Sequence, residues 1–195
     1  MAISSSQADL PTGLTVAVIG SARLTPPDPR CVLAEQTGAA IAAAGWTVMT
    51  GGYGGLMEVA SRAAAEAGGT VIGLPMSGWA ALTPNRWNHE LRWSATYAER
   101  LAHLLAADAI IALDGGIGTL SEAAVAWAAL QTESVAADLI FLGTGWPPVL
   151  RSLAEHLVID ERDLAHVTVC ADPHQAIAHI AGNRAGPPRA AAPRG

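Results

Sequence analysis

Short apolar runs alternate with helix-like segments along most of the chain. Asp28 and Pro29 suit the start of a first helix, and Gly45 suits its end. A second helix is predicted over about 55–67. Strands that alternate with helices of this length are typical of βαβ units, so we predict a single-domain α/β fold, a doubly wound (Rossmann-like) parallel sheet with helices on both faces. The strand-like runs lie at 15–19, 47–50, 70–74, 109–113, 138–142 and 167–169.

The same pattern predicts one domain between two irregular ends. A length of 195 residues suits one domain with a substantial core. Residues 1–13 lack a basic start and an apolar signal core, so we predict a flexible N-terminus. Residues 14–181 form the predicted nucleotide-binding domain, and 182–195, rich in proline and glycine, the predicted disordered tail. No apolar run is long enough to span a membrane, so we expect a cytoplasmic protein with no membrane partner.

Three strand-to-helix junctions carry glycine: "IGSAR" (19–23), "TGGYGGLM" (50–57) and "DGGIGTLSE" (114–122). Right-handed crossovers place such junctions along one sheet edge, where open α/β sheets bind their ligands. Glycine lets backbone amides approach a ligand, and the N-terminus of a helix favours phosphate. We therefore expect the three junctions to converge on a nucleotide-like ligand.

Two features of the chain allow more than one interpretation. Glu122 would repel a phosphate, so it either complements the dipole of its helix or acts on the molecule that carries the phosphate. Segment 75–94 interrupts the alternation and holds Trp79, Trp87 and Trp93. It is either a surface excursion packed on the body of the domain, or a lid or subunit contact that presents an aromatic face to a base.

The composition excludes several classes of protein. The 11 basic residues are all arginines, so the chain has neither the lysine of a Walker phosphate loop nor that of a pyridoxal-phosphate enzyme. A net charge of −6 without a basic cluster outside the tail argues against a nucleic-acid partner. "GSARLT" lacks two of the three glycines of a dinucleotide fingerprint. The 6 histidines have no paired ligand spacing, so we predict no metal site, and Cys31 and Cys170 are expected to be ordinary thiols.

Two motifs resemble those of the LONELY GUY family. "DGGIGTLSE" is similar to its PGGxGTxxE hallmark, with Asp114 in place of proline, and "TGGYGGLME" is similar to its GGGxxGLMG, with Thr50 and Glu58 replacing glycines. The resemblance covers roughly residues 14–180. It implies hydrolysis of the N-glycosidic bond of a nucleoside 5′-monophosphate, AMP or a cytokinin-type ribotide, to free base and ribose 5-phosphate, without a cofactor.

The resemblance also implies the site residues. Glu122 is the implied catalytic carboxylate. The family's catalytic arginine belongs to an MxxRK motif, and ungapped alignment places Glu99 there and Arg100 at the lysine position. A small shift of the helix would let Arg100 serve; otherwise the subfamily uses its site differently. A further alternative is a surface arginine paired with Glu99 or another neighbour. The implied binding residues are Gly115, Gly116, Gly118 and Thr119 around the 5′-phosphate, and Gly51, Gly52 and Ser21 near the ribose or base.

The sequence also bears on the assembly of the protein and on a second possible function. The resemblance and the apolar helix "LSEAAVAWAALQ" (120–131) predict a homodimer at least. The altered arginine motif keeps one alternative to hydrolysis open, a non-catalytic carrier of a nucleotide or of molybdenum cofactor from the same superfamily. DNA processing on a related fold is disfavoured by the acidic composition.

Overall fold

A computed structural model describes residues 13–79 and 81–185. The strands are β1 Thr15–Ile19, β2 Thr47–Thr50, β3 Val71–Gly73, β4 Glu90–Leu91, β5 Ala109–Ala112, β6 Asp138–Leu142 and β7 Val167–Cys170. They form a 7-stranded sheet in the order β4-β3-β2-β1-β5-β6-β7, and every pairing is parallel. The order reverses at β1, which confirms the doubly wound fold and leaves a crevice between the carboxyl ends of β1 and β5.

Helices cover both faces of the sheet. They are α1 Arg30–Ala43, α2 Leu56–Glu66, α3 Tyr97–Leu105, α4 Ile117–Gln131, α5 Trp146–His156, α6 Glu161–Leu164 and α7 Pro173–Ala185. Alternate residues of β1 enter separate cores: Val16 and Val18 pack with α1, α2 and α7, whereas Ala17 and Ile19 pack with α3, α4 and α5. Because both faces are buried, the strands appear in the sequence as continuous apolar runs.

Most predicted strands and helices keep their boundaries within one residue at each end, and three differences concern the organisation of the chain. Helix α1 begins at Arg30 rather than Pro29, and the Asp28 carboxylate accepts a hydrogen bond from Arg30 N at 3.0 Å. Gly45 ends this helix as predicted, with φ of 76°. Strand β4 was not predicted, because it is short and both of its residues are exposed. Helix α7 continues past residue 182, where the predicted tail begins.

Arg184 explains the longer C-terminal helix. Its Nη2 donates to Ala136 O at 2.9 Å and also to Asp108 O, so the last turn of α7 is held against the loops that enter β5 and β6. The rest of the predicted tail and residues 1–12 lie outside the described part of the chain.

Helix α4 is covered within the chain more than its sequence suggests. Leu120 and Trp127 pack against the core that contains Phe141. Trp127 Nε1 also donates to Asp163 O at 2.8 Å. Ile117, in contrast, is 83% exposed. The apolar character of α4 is therefore a weaker argument for a homodimer than it was from sequence, and the homodimer stays a prediction.

Cys31 and Cys170 are free and buried, and burial raises the pKa of both thiols.

Within residues 13–79 and 81–185, no helix combines the length and apolarity that crossing a membrane requires. The same residues contain no group of three or more histidine, cysteine, aspartate or glutamate side chains placed to hold a metal ion.

Candidate active site

The three glycine-bearing junctions meet at Ser21. Ser21 N donates to Asp114 O at 3.1 Å, and Ser21 O accepts from Leu56 N at 2.9 Å. The first junction is thus hydrogen-bonded to the third and to the start of the helix that follows the second. This contact confirms that the junctions converge at the carboxyl edge of the sheet, where the strand order reverses.

Gly52 belongs to the buried side of its loop. Its backbone has φ of 82°, which favours glycine, and its N–H donates to Thr50 Oγ1 at 3.0 Å. Its carbonyl accepts from Asn85 N at 2.8 Å and from Asn88 Nδ2 at 3.0 Å. Thr50, which stands where the LONELY GUY motif has glycine, therefore helps to fold the loop, and Gly52 connects that loop to segment 75–94.

The start of α3 separates Glu99 from Arg100. Thr96 Oγ1 accepts from Glu99 N at 3.2 Å, and Glu99 Oε2 accepts from Ala95 N at 2.8 Å. These two hydrogen bonds keep Glu99 at the exposed end of the helix. The next residue, Arg100, then points into the protein.

Arg100 and Glu122 form a buried ion pair. Arg100 Nη1 donates to Glu122 Oε1, and Arg100 Nε donates to Leu74 O at 2.9 Å. Their side chains are only 7% and 11% exposed. The alternative of a surface arginine paired with Glu99 is therefore wrong. Glu122 is the sixth residue of α4, beyond the first turn in which the helix dipole acts, so the dipole interpretation loses its support.

The ion pair joins α3, α4 and the end of β3 at the ligand edge. Removing one partner from such a pair typically costs about 3–5 kcal/mol, because the other charge is left buried alone. Among the described residues, Glu122 Oε2 has no hydrogen-bond partner. One carboxylate oxygen is thus held by Arg100, and the second is available to orient a water or to face a positive charge.

Gly51 leaves the room that Arg100 occupies. A Cβ at this position would overlap Arg100 Nη2 and lie 2.7 Å from Met57 Sδ. The glycine is required by the neighbouring side chains, and it places the second junction directly against the ion pair.

A polar cavity of about 420 Å³ lies at the crevice between β1 and β5. Its lining residues are Ser21, Arg23, Leu24, Arg30, Gly115 and Gly116. Gly116 occupies the cap position of α4, and no side chain caps that helix end. Free backbone N–H groups, the positive end of the helix and two guanidinium groups suit an anionic group such as phosphate.

Arg30 is fixed in the cavity wall by Asp28. Arg30 Nε donates to Asp28 Oδ1 at 2.9 Å, and Nη2 donates to Oδ2 at 2.8 Å. These hydrogen bonds lower the pKa of Asp28 to about 2, so the carboxylate stays ionised near neutral pH. Sequence reasoning missed Arg23 and Arg30. The available signal was that Arg23 is the last residue of the first glycine-bearing junction, and that Arg30 is a cation at a helix start, where the dipole disfavours it.

The remaining predicted phosphate residues do not all face the cavity. Thr119 is 4% exposed, and a Cβ at Gly115 would overlap its side chain, so the threonine packs beneath the loop. Gly118 has open space around it and is exposed. Gly115 and Gly116 are the predicted phosphate-binding residues that line the cavity. Ser21, which was predicted near the ribose or base, lines it as well.

A protein-family model matches the part of the chain that contains this site. The model of the SLOG cluster4 family matches residues 13–137, more than half of the chain. The match includes all three glycine-bearing junctions, Arg100 and Glu122. The chain belongs to the SLOG cluster4 family. This membership supports the superfamily predicted from the motifs, and membership of the LONELY GUY family itself stays a prediction.

Three solved structures of known proteins share the fold, and two of them have a similar chain length. The molybdenum cofactor carrier protein from Chlamydomonas reinhardtii is 26% identical, with a TM-score of 0.68, and the match covers 86% of this chain and 96% of that one. The molybdenum cofactor binding protein from the phototrophic bacterium Rippkaea orientalis is 26% identical, with a TM-score of 0.67 and coverage of 87% and 94%. DNA processing protein A from Streptococcus pneumoniae, at 14% identity, a TM-score of 0.59 and coverage of 85% and 61%, shares the fold alone. No curated protein matches the sequence.

Proposed function

We propose that this protein binds a nucleoside 5′-monophosphate at the carboxyl edge of the sheet and hydrolyses its N-glycosidic bond. The observation that carries the proposal is the buried Arg100–Glu122 pair, which lies against Gly51 of the second junction and includes the glutamate of the third. A buried ion pair is weak evidence for stability, since replacing it with apolar side chains is often neutral. Its position beside the ligand edge therefore favours a chemical role.

In this mechanism, Glu122 acts on the ribose. Departure of the base leaves positive charge near C1′, and a carboxylate oxygen such as Glu122 Oε2 stabilises that charge and orients the attacking water. Arg100 acts through Glu122, because its Nη1 holds Oε1 and its Nε is engaged by Leu74 O. We assign Arg100 as the positioning residue and Glu122 as the catalytic residue.

Gly51→Ala tests this positioning. The added methyl group would displace Arg100 Nη2, which lies at the end of a flexible side chain, so we expect the fold to persist and base release to fall at least about tenfold. Gly54→Ala in the same loop is the matched control, because its Cβ would meet only Glu58 Oε2, at 3.7 Å. Equal activity of the two variants, with unfolding temperatures near that of the wild type, would contradict the assigned role of Arg100.

The 5′-phosphate is assigned to the arginine-lined cavity. We expect AMP to bind far more tightly than adenosine, and Arg23→Ala to weaken AMP at least about tenfold without changing adenosine, since a hydrogen bond to a charged group contributes roughly 1.5–3 kcal/mol. Arg151→Ala, at an exposed arginine of α5, is the control for the loss of one positive charge. Calorimetry that gave equal affinities for AMP and adenosine would remove the phosphate site from the proposal.

A second candidate function is a non-catalytic carrier of a nucleotide or of molybdenum cofactor. It is favoured by the similarity, at 26% identity and nearly full length, to two proteins described as carrying or binding molybdenum cofactor. It uses the same cavity, because that cofactor also bears a phosphate. Incubation with AMP and with an isopentenyladenine ribotide, followed by detection of free base, separates the enzyme from the carrier.

A further inference from the structure

Segment 75–94, called the excursion below, is fixed to the second glycine-bearing junction in its described residues. Asn85 Nδ2 donates to Tyr53 O at 2.8 Å, and Asn88 Nδ2 donates to Gly52 O at 3.0 Å. The excursion therefore has a defined position beside the loop that packs on Arg100.

Trp79 of the excursion lies beside Arg100 of the buried ion pair. Its ring centroid is 5.9 Å from that of Tyr53, with an interplanar angle of 33°, and Arg100 Cζ is 5.7 Å from the Trp79 ring centroid. Tyr53 is only 4% exposed, whereas Trp79 is 40% exposed. The backbone of Trp79 is held in a turn, since its N–H donates to Met76 O at 3.2 Å. A large part of the Trp79 side chain is thus open to solvent next to Arg100.

We infer that Trp79 stacks on the planar ring of the ligand, and that the ligand is a phosphorylated aromatic heterocycle. The inference rests on the proposed function for the location of the site, and it adds the residue that selects the ring. An aromatic side chain binds any flat heterocycle through its π-face, so purines and pterins both fit. A sugar phosphate has no aromatic ring and gains nothing from this contact. The positive charge of Arg100 beside the indole adds a contact that favours an electron-rich ring.

The test measures binding by calorimetry with three probes: AMP, neopterin monophosphate and ribose 5-phosphate. Trp79→Leu is expected to weaken at least one ring-bearing probe roughly tenfold and to leave ribose 5-phosphate unchanged, and Trp79→Phe should retain most of the affinity. Trp93→Leu is the matched control, because Trp93 is 50% exposed on the same excursion and makes no ring or cation contact with Tyr53 or Arg100 among the described residues.

Each outcome supports or overturns the inference. If Trp79→Leu weakens all three probes equally, the indole only supports the fold of the site, and the inference is wrong. It is also overturned if wild-type protein binds neither ring-bearing probe more tightly than ribose 5-phosphate. If Trp79→Leu weakens AMP selectively but wild-type protein releases no base, stacking stands and hydrolysis fails. If base is released and Trp79→Leu binds both AMP and neopterin monophosphate like the wild type, hydrolysis stands and stacking fails.

Discussion

Replacing Glu122 with glutamine is expected to lower base release from AMP by about 10²–10⁴-fold while AMP binding persists. Glutamine is nearly isosteric, and its amide oxygen still accepts the hydrogen bond from Arg100 Nη1. The variant loses the negative charge that stabilises the ribosyl transition state, so the loss falls on turnover rather than on ground-state affinity. Turnover is measured by chromatography of the released adenine, and affinity by calorimetry.

Glu99→Gln is the matched control for this experiment. It removes one negative charge at an exposed position of α3, and the amide oxygen of glutamine still accepts the hydrogen bond from Ala95 N. We expect its turnover to equal that of the wild type. Wild-type turnover in Glu122→Gln would contradict the mechanism, whereas a parallel loss in Glu99→Gln would show that the assay reports net charge.

Gly55→Ala is expected to lower the free energy of unfolding by about 2–5 kcal/mol. Gly55 has φ of 74°, which an alanine rarely adopts. A Cβ there would also lie 2.5 Å from Ala22 C and would overlap Ser21 O, and these backbone atoms cannot move aside as a flexible side chain could. Because Ser21 joins the three junctions, the same change should abolish AMP binding.

Gly45→Ala separates the two causes of that loss. Gly45 has φ of 76°, but a Cβ there would meet no atom within 4 Å. We therefore expect only the conformational part, about 1–2 kcal/mol, and unchanged AMP binding. Chemical denaturation of both variants gives the comparison, and equal losses would show that the contact between Gly55 and Ser21 is not under steric constraint.

The sheet and its ligand edge could be predicted because their signals are local. The run at 138–142 became β6 without any change of boundary, since the strand is buried on both faces and its residues 139–142 are all apolar. Glycine at the three junctions was likewise visible. Strand β4 could not be predicted, because Glu90 and Leu91 are both exposed and only their pairing with β3 defines the strand.

The contact between Arg100 and Glu122 could not be predicted from the sequence. The two residues are 22 positions apart and meet only because α3 and α4 pack on one face of the sheet. The choice between Glu99 and Arg100 did have a local signal. Thr96 and Glu99 have the spacing of a capping box, which directs Glu99 outward at the helix start. For Arg30 the sequence shows only a cation at a helix start, and the folded loop is needed to place its guanidinium in the cavity wall.

The central claim is that the protein breaks the bond between base and ribose. The most direct measurement incubates wild-type protein with AMP and quantifies adenine, ribose 5-phosphate and remaining AMP over time. We expect adenine and ribose 5-phosphate to appear in equal amounts, at a rate proportional to the protein concentration. Recovery of all the AMP intact, although it binds in a manner that requires Arg23, would contradict this account and identify the protein as a carrier.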